Sequence, residues 1–146
     1  MDYIFGHGTS VYDNCEIRTV ESGSAVAAPA TPLSRKWGLI FLGGRLTATS
    51  NIKSESQWLA RSWGAEGFTA FIGVELGDHI KPEGWGVMSK NEGKLDQARF
   101  YEYNSSGPGA NPDARAPEVS PQLTNAQVAE YTLENIFGSW VPSFSK

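Results

Sequence analysis

Ile40-Phe41-Leu42-Gly43-Gly44-Arg45-Leu46 has a counterpart on either side of it. Val11-Tyr12-Asp13-Asn14-Cys15-Glu16-Ile17 starts about 30 residues earlier, and Ala70-Phe71-Ile72-Gly73-Val74-Glu75-Leu76 starts about 30 residues later. Each has an apolar opening, a two-residue centre (Asn14-Cys15, Gly43-Gly44, Gly73-Val74), a charged residue and a closing aliphatic. A fourth segment, Arg99 to Ser105, follows Ala70 at the same interval, keeps an aromatic pair in Phe100-Tyr101 and loses the aliphatic end. A fixed period in this range marks stacked units, each burying its apolar face against its neighbours. Sandwich strands recur about every 8–12 residues, too short a period for this chain. The spacing therefore predicts a β-solenoid of about four coils rather than a β-sandwich.

Outward from the repeat, the composition agrees. Sixteen Gly and eight Pro in 146 residues favour short elements joined by turns. Hydrophobic residues make up 40% of the chain, enough for one folded unit with a core. The formal net charge is -4 with no run of Lys or Arg, which excludes a nucleic-acid binder. No stretch approaches the roughly 20 apolar residues that would span a membrane, and the N-terminus carries no leader pattern. One cysteine and two histidines make a structural metal site improbable. Cys15 falls inside the apolar repeat and is expected to be a buried small hydrophobe. His7 and His79 are expected on turns or at the surface.

The tail changes character. Thr124 with Gln127 three residues later matches a capping box, and Gly138 suits the position past a helix end, so one helix is predicted over 125–136. Residues 103–121 and 20–32, rich in Gly, Ser, Pro, Asn and Ala, are expected to be long loops. Asn104-Ser105-Ser106 fits a glycosylation acceptor that only a eukaryotic secretory host would use. A single domain, 1–146, follows.

Five strings carry a resemblance. Asp2-Tyr3-Ile4-Phe5-Gly6 resembles the Asp-Phe-Ile-Phe-Gly motif of the pectin methylesterases, and Leu59-Ala60-Arg61-Ser62-Trp63 resembles their Leu-Gly-Arg-Pro-Trp motif. Gly77 to Trp85 is similar to their stretch ending in Pro-Glu-Gly-Trp. Glu102 to Ala110 is similar to Glu-Tyr-x-x-x-Gly-Pro-Gly-Ala, and Gln122-Leu123-Thr124 introduces the family's C-terminal helix. All five occur in order over nearly the whole chain. The resemblance implies a right-handed parallel β-helix, secretion, and hydrolysis of galacturonate methyl esters in pectin to methanol and pectate. It implies no metal or organic cofactor, with pectin as the partner rather than nucleic acid or membrane.

By that match Asp2 is the nucleophile, and Arg61 holds it ionised and oriented through fixed planar donors. Trp63, Trp85, Phe5 and Met88 become the expected substrate-contacting residues, because sugars bind to flat apolar faces with polar edges. Without the resemblance, each would read as an ordinary surface or core residue. Ala60, Ser62 and His7 depart from the Gly, Pro and Asn usual at their positions. The family's acid/base Asp and oxyanion Gln residues lie upstream of the nucleophile motif, hence ahead of Met1. The chain alone is accordingly expected to be inactive and to self-associate through an uncovered first coil. A non-catalytic pectin-binding or structural β-helix module is the alternative. A lyase or polygalacturonase is disfavoured because these motifs are not theirs.

Overall fold

The computed structural model describes residues 1–23, 25–88, 95–115 and 122–143. Its strands are β1 (Ile4–Gly6), β2 (Ser10–Asp13), β3 (Glu16–Thr19), β4 (Ala25–Pro29), β5 (Leu39–Leu42), β6 (Arg45–Ala48), β7 (Trp58–Ser62), β8 (Phe68–Ile72), β9 (Glu75–Leu76), β10 (Trp85–Val87) and β11 (Arg99–Tyr103). They form three sheets in the orders β1-β4-β7-β10, β11-β8-β5-β2 and β3-β6-β9. Every pairing between these strands is parallel. The chain thus visits the three sheets in rotation, completes three coils, and opens a fourth with β10 and β11.

The predicted repeat is the second sheet with the turn into the third. Val11 pairs with Ile40 and Ile40 with Ala70, as the spacing requires, but Ala70 pairs with Tyr101 rather than Arg99. The fourth unit is therefore shifted by two residues, a slip that keeps every side chain on its own face. The turn is the sharper marker: Asn14, Gly43, Gly73 and Asn104 all adopt left-handed φ values of 49°, 64°, 63° and 48°. Gly and Asn are the residues that tolerate this conformation.

Alternation along the second sheet builds two layers. Inward, the rings of Tyr12, Phe41 and Phe71 stack at centroid distances of 4.9 and 4.4 Å. Outward, Val11, Ile40, Ala70 and Tyr101 meet Trp37, from the segment before β5, and Tyr131, Ile136 and Phe137 from the tail. The tail forms two short helices, α1 (Asn125–Val128) and α2 (Leu133–Phe137), instead of the single helix expected over 125–136. The Thr124–Gln127 capping box is present. The break arises because Thr132 caps a new start, its hydroxyl accepting from Asn135 N–H, which brings Tyr131 against Trp37 and Ile136 into the outer layer.

Two other expectations are corrected, and a third in part. Residues 20–32 are not all loop: Ala25–Pro29 is a fully buried strand between β1 and β7. Alanine's poor strand propensity hid it, although a strand covered on both faces favours small side chains. Cys15 is exposed, because its place beside Asn14 in the left-handed turn directs it outward. His79 lies on a turn, as expected, but that turn is covered: the residue is 1% exposed, with neither ring nitrogen hydrogen-bonded to the described residues. The expected loop over 103–121 contains a 3-10 turn at Pro112–Ala114, and its residues 116–121 lie outside the described residues.

Glu102 occupies the next place on the inward ring stack, paired with Phe71 in register. Its carboxylate is 1% exposed and accepts from Arg115 Nε at 2.7 Å and Nη2 at 3.1 Å. Arg115 also donates to the carbonyls of Pro82 at 2.7 Å and Gly109 at 3.0 Å, so all sides of the pair are satisfied. Arg115→Met should therefore cost about 3–5 kcal/mol in urea unfolding by stranding a buried carboxylate, and Glu102→Leu added to it should recover part of the loss.

His79 predicts a pH dependence. Burial lowers its pKa below the ordinary 6.5, against a smaller opposing pull from Asp78. The unfolded chain then takes up the proton first, so this contribution is intact above about pH 6.5 and is lost as pH falls toward the folded value. Urea unfolding between pH 7 and 5 should show a slope of up to about 1.4 kcal/mol per pH unit that His79→Gln flattens.

Candidate active site

The first sheet carries the motif residues, and alternation sorts them into two sets. Ile4, Ala27, Ala60 and Trp85 stand side by side in register and pack into the core. Phe5, Ala28, Arg61 and Gly86 take the opposite, outer face. Trp85 is thereby corrected as a substrate contact. It is 3% exposed, with its ring at 5.4 Å from Phe100 and 6.2 Å from Phe71, and offers no face to a sugar.

Arg61 sits on β7, paired on both sides by β4 and β10, so its backbone has little freedom. Asp2 precedes β1, at the opposite edge of β4. The structure brings the two together: Arg61 Nε donates to Asp2 Oδ2 at 3.0 Å, and Nη2 lies 3.0 Å from the same oxygen. The intervening β4 contributes Ala28 to this face, a methyl low enough for a long side chain to cross. Both guanidinium contacts fall on one carboxylate oxygen. Asp2 Oδ1 is buried and has no hydrogen-bond partner among the described residues.

Beside the pair lies an aromatic group. Trp63 meets Phe5 edge-on at 5.7 Å and His7 at 5.6 Å, and Phe5 is 60% exposed. Met88 and Trp63 each follow directly on the last pair of β10 and β7, Val87 with Ser62. Phe5, Trp63 and Met88 thus share one end of the face that holds Asp2 and Arg61. His7 belongs with them. It is exposed, as expected, and reaches Trp63 from the bend that follows β1, a contact with no local signal in the sequence.

A carboxylate held through one oxygen by a forked cation, its second oxygen accepting no hydrogen bond from the described residues, has the charge and the open lone pairs that a carboxylate nucleophile needs. Among the described residues no group of three or more His, Cys, Asp or Glu is placed to bind a metal ion. No helix among them is long and apolar enough to cross a membrane.

Comparison with known proteins agrees with the geometry. A family model described as Pectinesterase matches residues 1–139. Pectinesterase A of Dickeya chrysanthemi is 33% identical over 175 residues, covering 98% of this chain and 46% of its own length. The solved pectin methylesterase from Yersinia enterocolitica superposes with a TM-score of 0.81 at 31% identity, over 95% of this chain and 50% of that one. A solved pectin methylesterase in complex with a hexasaccharide superposes with a TM-score of 0.80 at 28% identity, over 98% and 49%. The chain spans about half the length of the relatives it matches.

Proposed function

Because the chain belongs to the pectinesterase family, we propose that it supplies the nucleophile-bearing half of a site that hydrolyses galacturonate methyl esters in pectin. The observation that carries this reading is the Asp2–Arg61 pair, in which one carboxylate oxygen is fixed and the other has no donor among the described residues. Asp2 Oδ1 attacks the ester carbonyl carbon, and the tetrahedral intermediate expels methoxide, which leaves as methanol after taking a proton from a general acid. The resulting acyl-enzyme anhydride is opened by water to give the polysaccharide carboxylate and regenerate Asp2. Arg61 positions the nucleophile. Phe5, Trp63 and Met88 form the apolar shelf for the sugar, consistent with the oligosaccharide bound by a solved relative. Acid/base and oxyanion groups come from residues upstream of the Asp2 motif. Acting on a wall polymer places the enzyme outside the cell.

Joined to an upstream half of the family type, the chain should release methanol from methylated pectin. Asp2→Asn and Arg61→Ala should each lower kcat by about 100-fold or more, and the double variant should fall little below the worse single one, since the two groups act as a unit. An Asp2→Asn enzyme with near-normal turnover would remove Asp2 from the mechanism.

Residues 1–146 purified alone should give methanol release near background. General acid-base help is worth about 10²–10⁴ in rate and an oxyanion donor about 10²–10³. Turnover within about tenfold of a complete homologue would overturn the division of the site. Pectin binding with no turnover even after the upstream half is joined would favour the non-catalytic module instead.

A further inference from the structure

The residue after the nucleophile departs from the family motif, which has Phe where this chain has Tyr3. The added hydroxyl is not idle. It donates to Gln57 Oε1 at 2.9 Å and lies 3.2 Å from Thr19 Oγ1. Both partners are buried and held in place. Gln57 N–H donates to His79 O at 2.9 Å and its carbonyl accepts from Lys81 N–H at 2.8 Å, while Thr19 O accepts from Thr49 N–H at 2.9 Å. Gly23 closes over the group. A Cβ there would come within 2.9 Å of the Tyr3 ring and 3.1 Å of Gln57 Oε1, so only glycine lets the chain pass this closely.

The topology gives this contact its meaning. β1 pairs with β4 and not with β7, so no strand pairing connects the strand following Asp2 to the strand bearing Arg61. Side chains make the connection: Asp2 to Arg61 on the outer face, and the very next residue, Tyr3, to Gln57, four residues before Arg61 and one before β7. Two ties from consecutive residues to one strand fix both the distance and the rotation of the Asp2 peptide. One alone would leave a hinge.

We propose that Tyr3 is a positioning residue for the nucleophile, its hydroxyl bracing the Asp2 peptide against Gln57 so that Arg61 meets a single carboxylate oxygen. The inference rests on the reading of Asp2 and Arg61 as the reacting pair, but concerns geometry and can be tested without turnover. Burial, and to a lesser degree the Asp2 carboxylate, raise the Tyr3 pKa, while the Thr19 contact lowers it. The phenol therefore remains a donor throughout the neutral range.

The test is nitrogen-proton NMR of residues 1–146, following the Arg61 Nε–H signal and its exchange with solvent, with Trp37 Nε1–H, bonded to Asn135 O at 3.3 Å, as a remote reference. Tyr3→Phe removes one oxygen and restores the family residue. It should shift the Arg61 Nε–H signal and speed its exchange about fivefold to tenfold, the worth of one hydrogen bond, with Trp37 unmoved. Gln57→Leu should do the same, and the two together should do no more than either. If Tyr3→Phe also disturbs the Trp37 signal, Gln57→Leu decides. An Arg61 signal unchanged while the Tyr3–Gln57 bond is absent would overturn the brace. Because the measurement does not use ester hydrolysis, a chain that proves catalytically inert would leave it standing.

Discussion

In a parallel stack the strand hydrogen bonds point along the axis, so the backbone of each coil is satisfied only by the coil before it and the coil after it. Lateral order follows from this. Residues one period apart in sequence are forced into register, and a ring on one coil must find a ring on the next. Tyr12, Phe41 and Phe71 meet that demand inside the second sheet, and the left-handed turn at Asn14, Gly43, Gly73 and Asn104 repeats it at the corner. The loops between rungs carry no such constraint, which is why the fourth rung can arrive late, with Tyr101 rather than Arg99 beside Ala70, without disturbing the stack.

The site inherits its precision from the same source. Asp2 and Arg61 are 59 residues apart in sequence and two coils apart in space. Their meeting depends on the register of β1 with β4 and of β4 with β7. A one-residue slip of β7 would turn Arg61 inward and put Ala60 in its place. The outer face there carries Phe5, Ala28, Arg61 and Gly86, whereas the inner face of the same strands holds Trp85 against the core rings. One alternation separates the Asp2–Arg61 face from the packed core.

The features legible in the sequence were those that repeat or that combine several residue types at fixed spacing. The repeat period pointed to the solenoid, Thr124 with Gln127 to the cap, and the ordered motifs to Asp2 and Arg61. The features that stayed hidden depend on which neighbour a residue meets. Ala25–Pro29 has the composition of a loop, and only its position between two strands makes it a strand. Trp85 lies in a motif beside the site, yet parity along β10 aims it inward. His79 is the turn residue it looked like, but nothing local signals that the coil closes over it. Cys15 shared the apolar repeat but stands at the one place in it where the chain turns outward. The second helix start at Thr132 reflects the need to lay Tyr131 and Ile136 on the outer layer, a tertiary demand with no local signature.

The Glu102–Arg115 pair also makes the two ends of the inward column unlike in chemistry. Along the inward column the aromatic rung is replaced at β11 by a carboxylate whose partner is already bound on every side to nearby carbonyls. β11 still sends Phe100 inward, but in this column a ring gives way to a charge pair that is already satisfied and gains nothing from further contact. The other member at the far side of the column is Tyr12, an aromatic face like those within. One column of side chains therefore runs from dispersion to electrostatics without leaving the same sheet face.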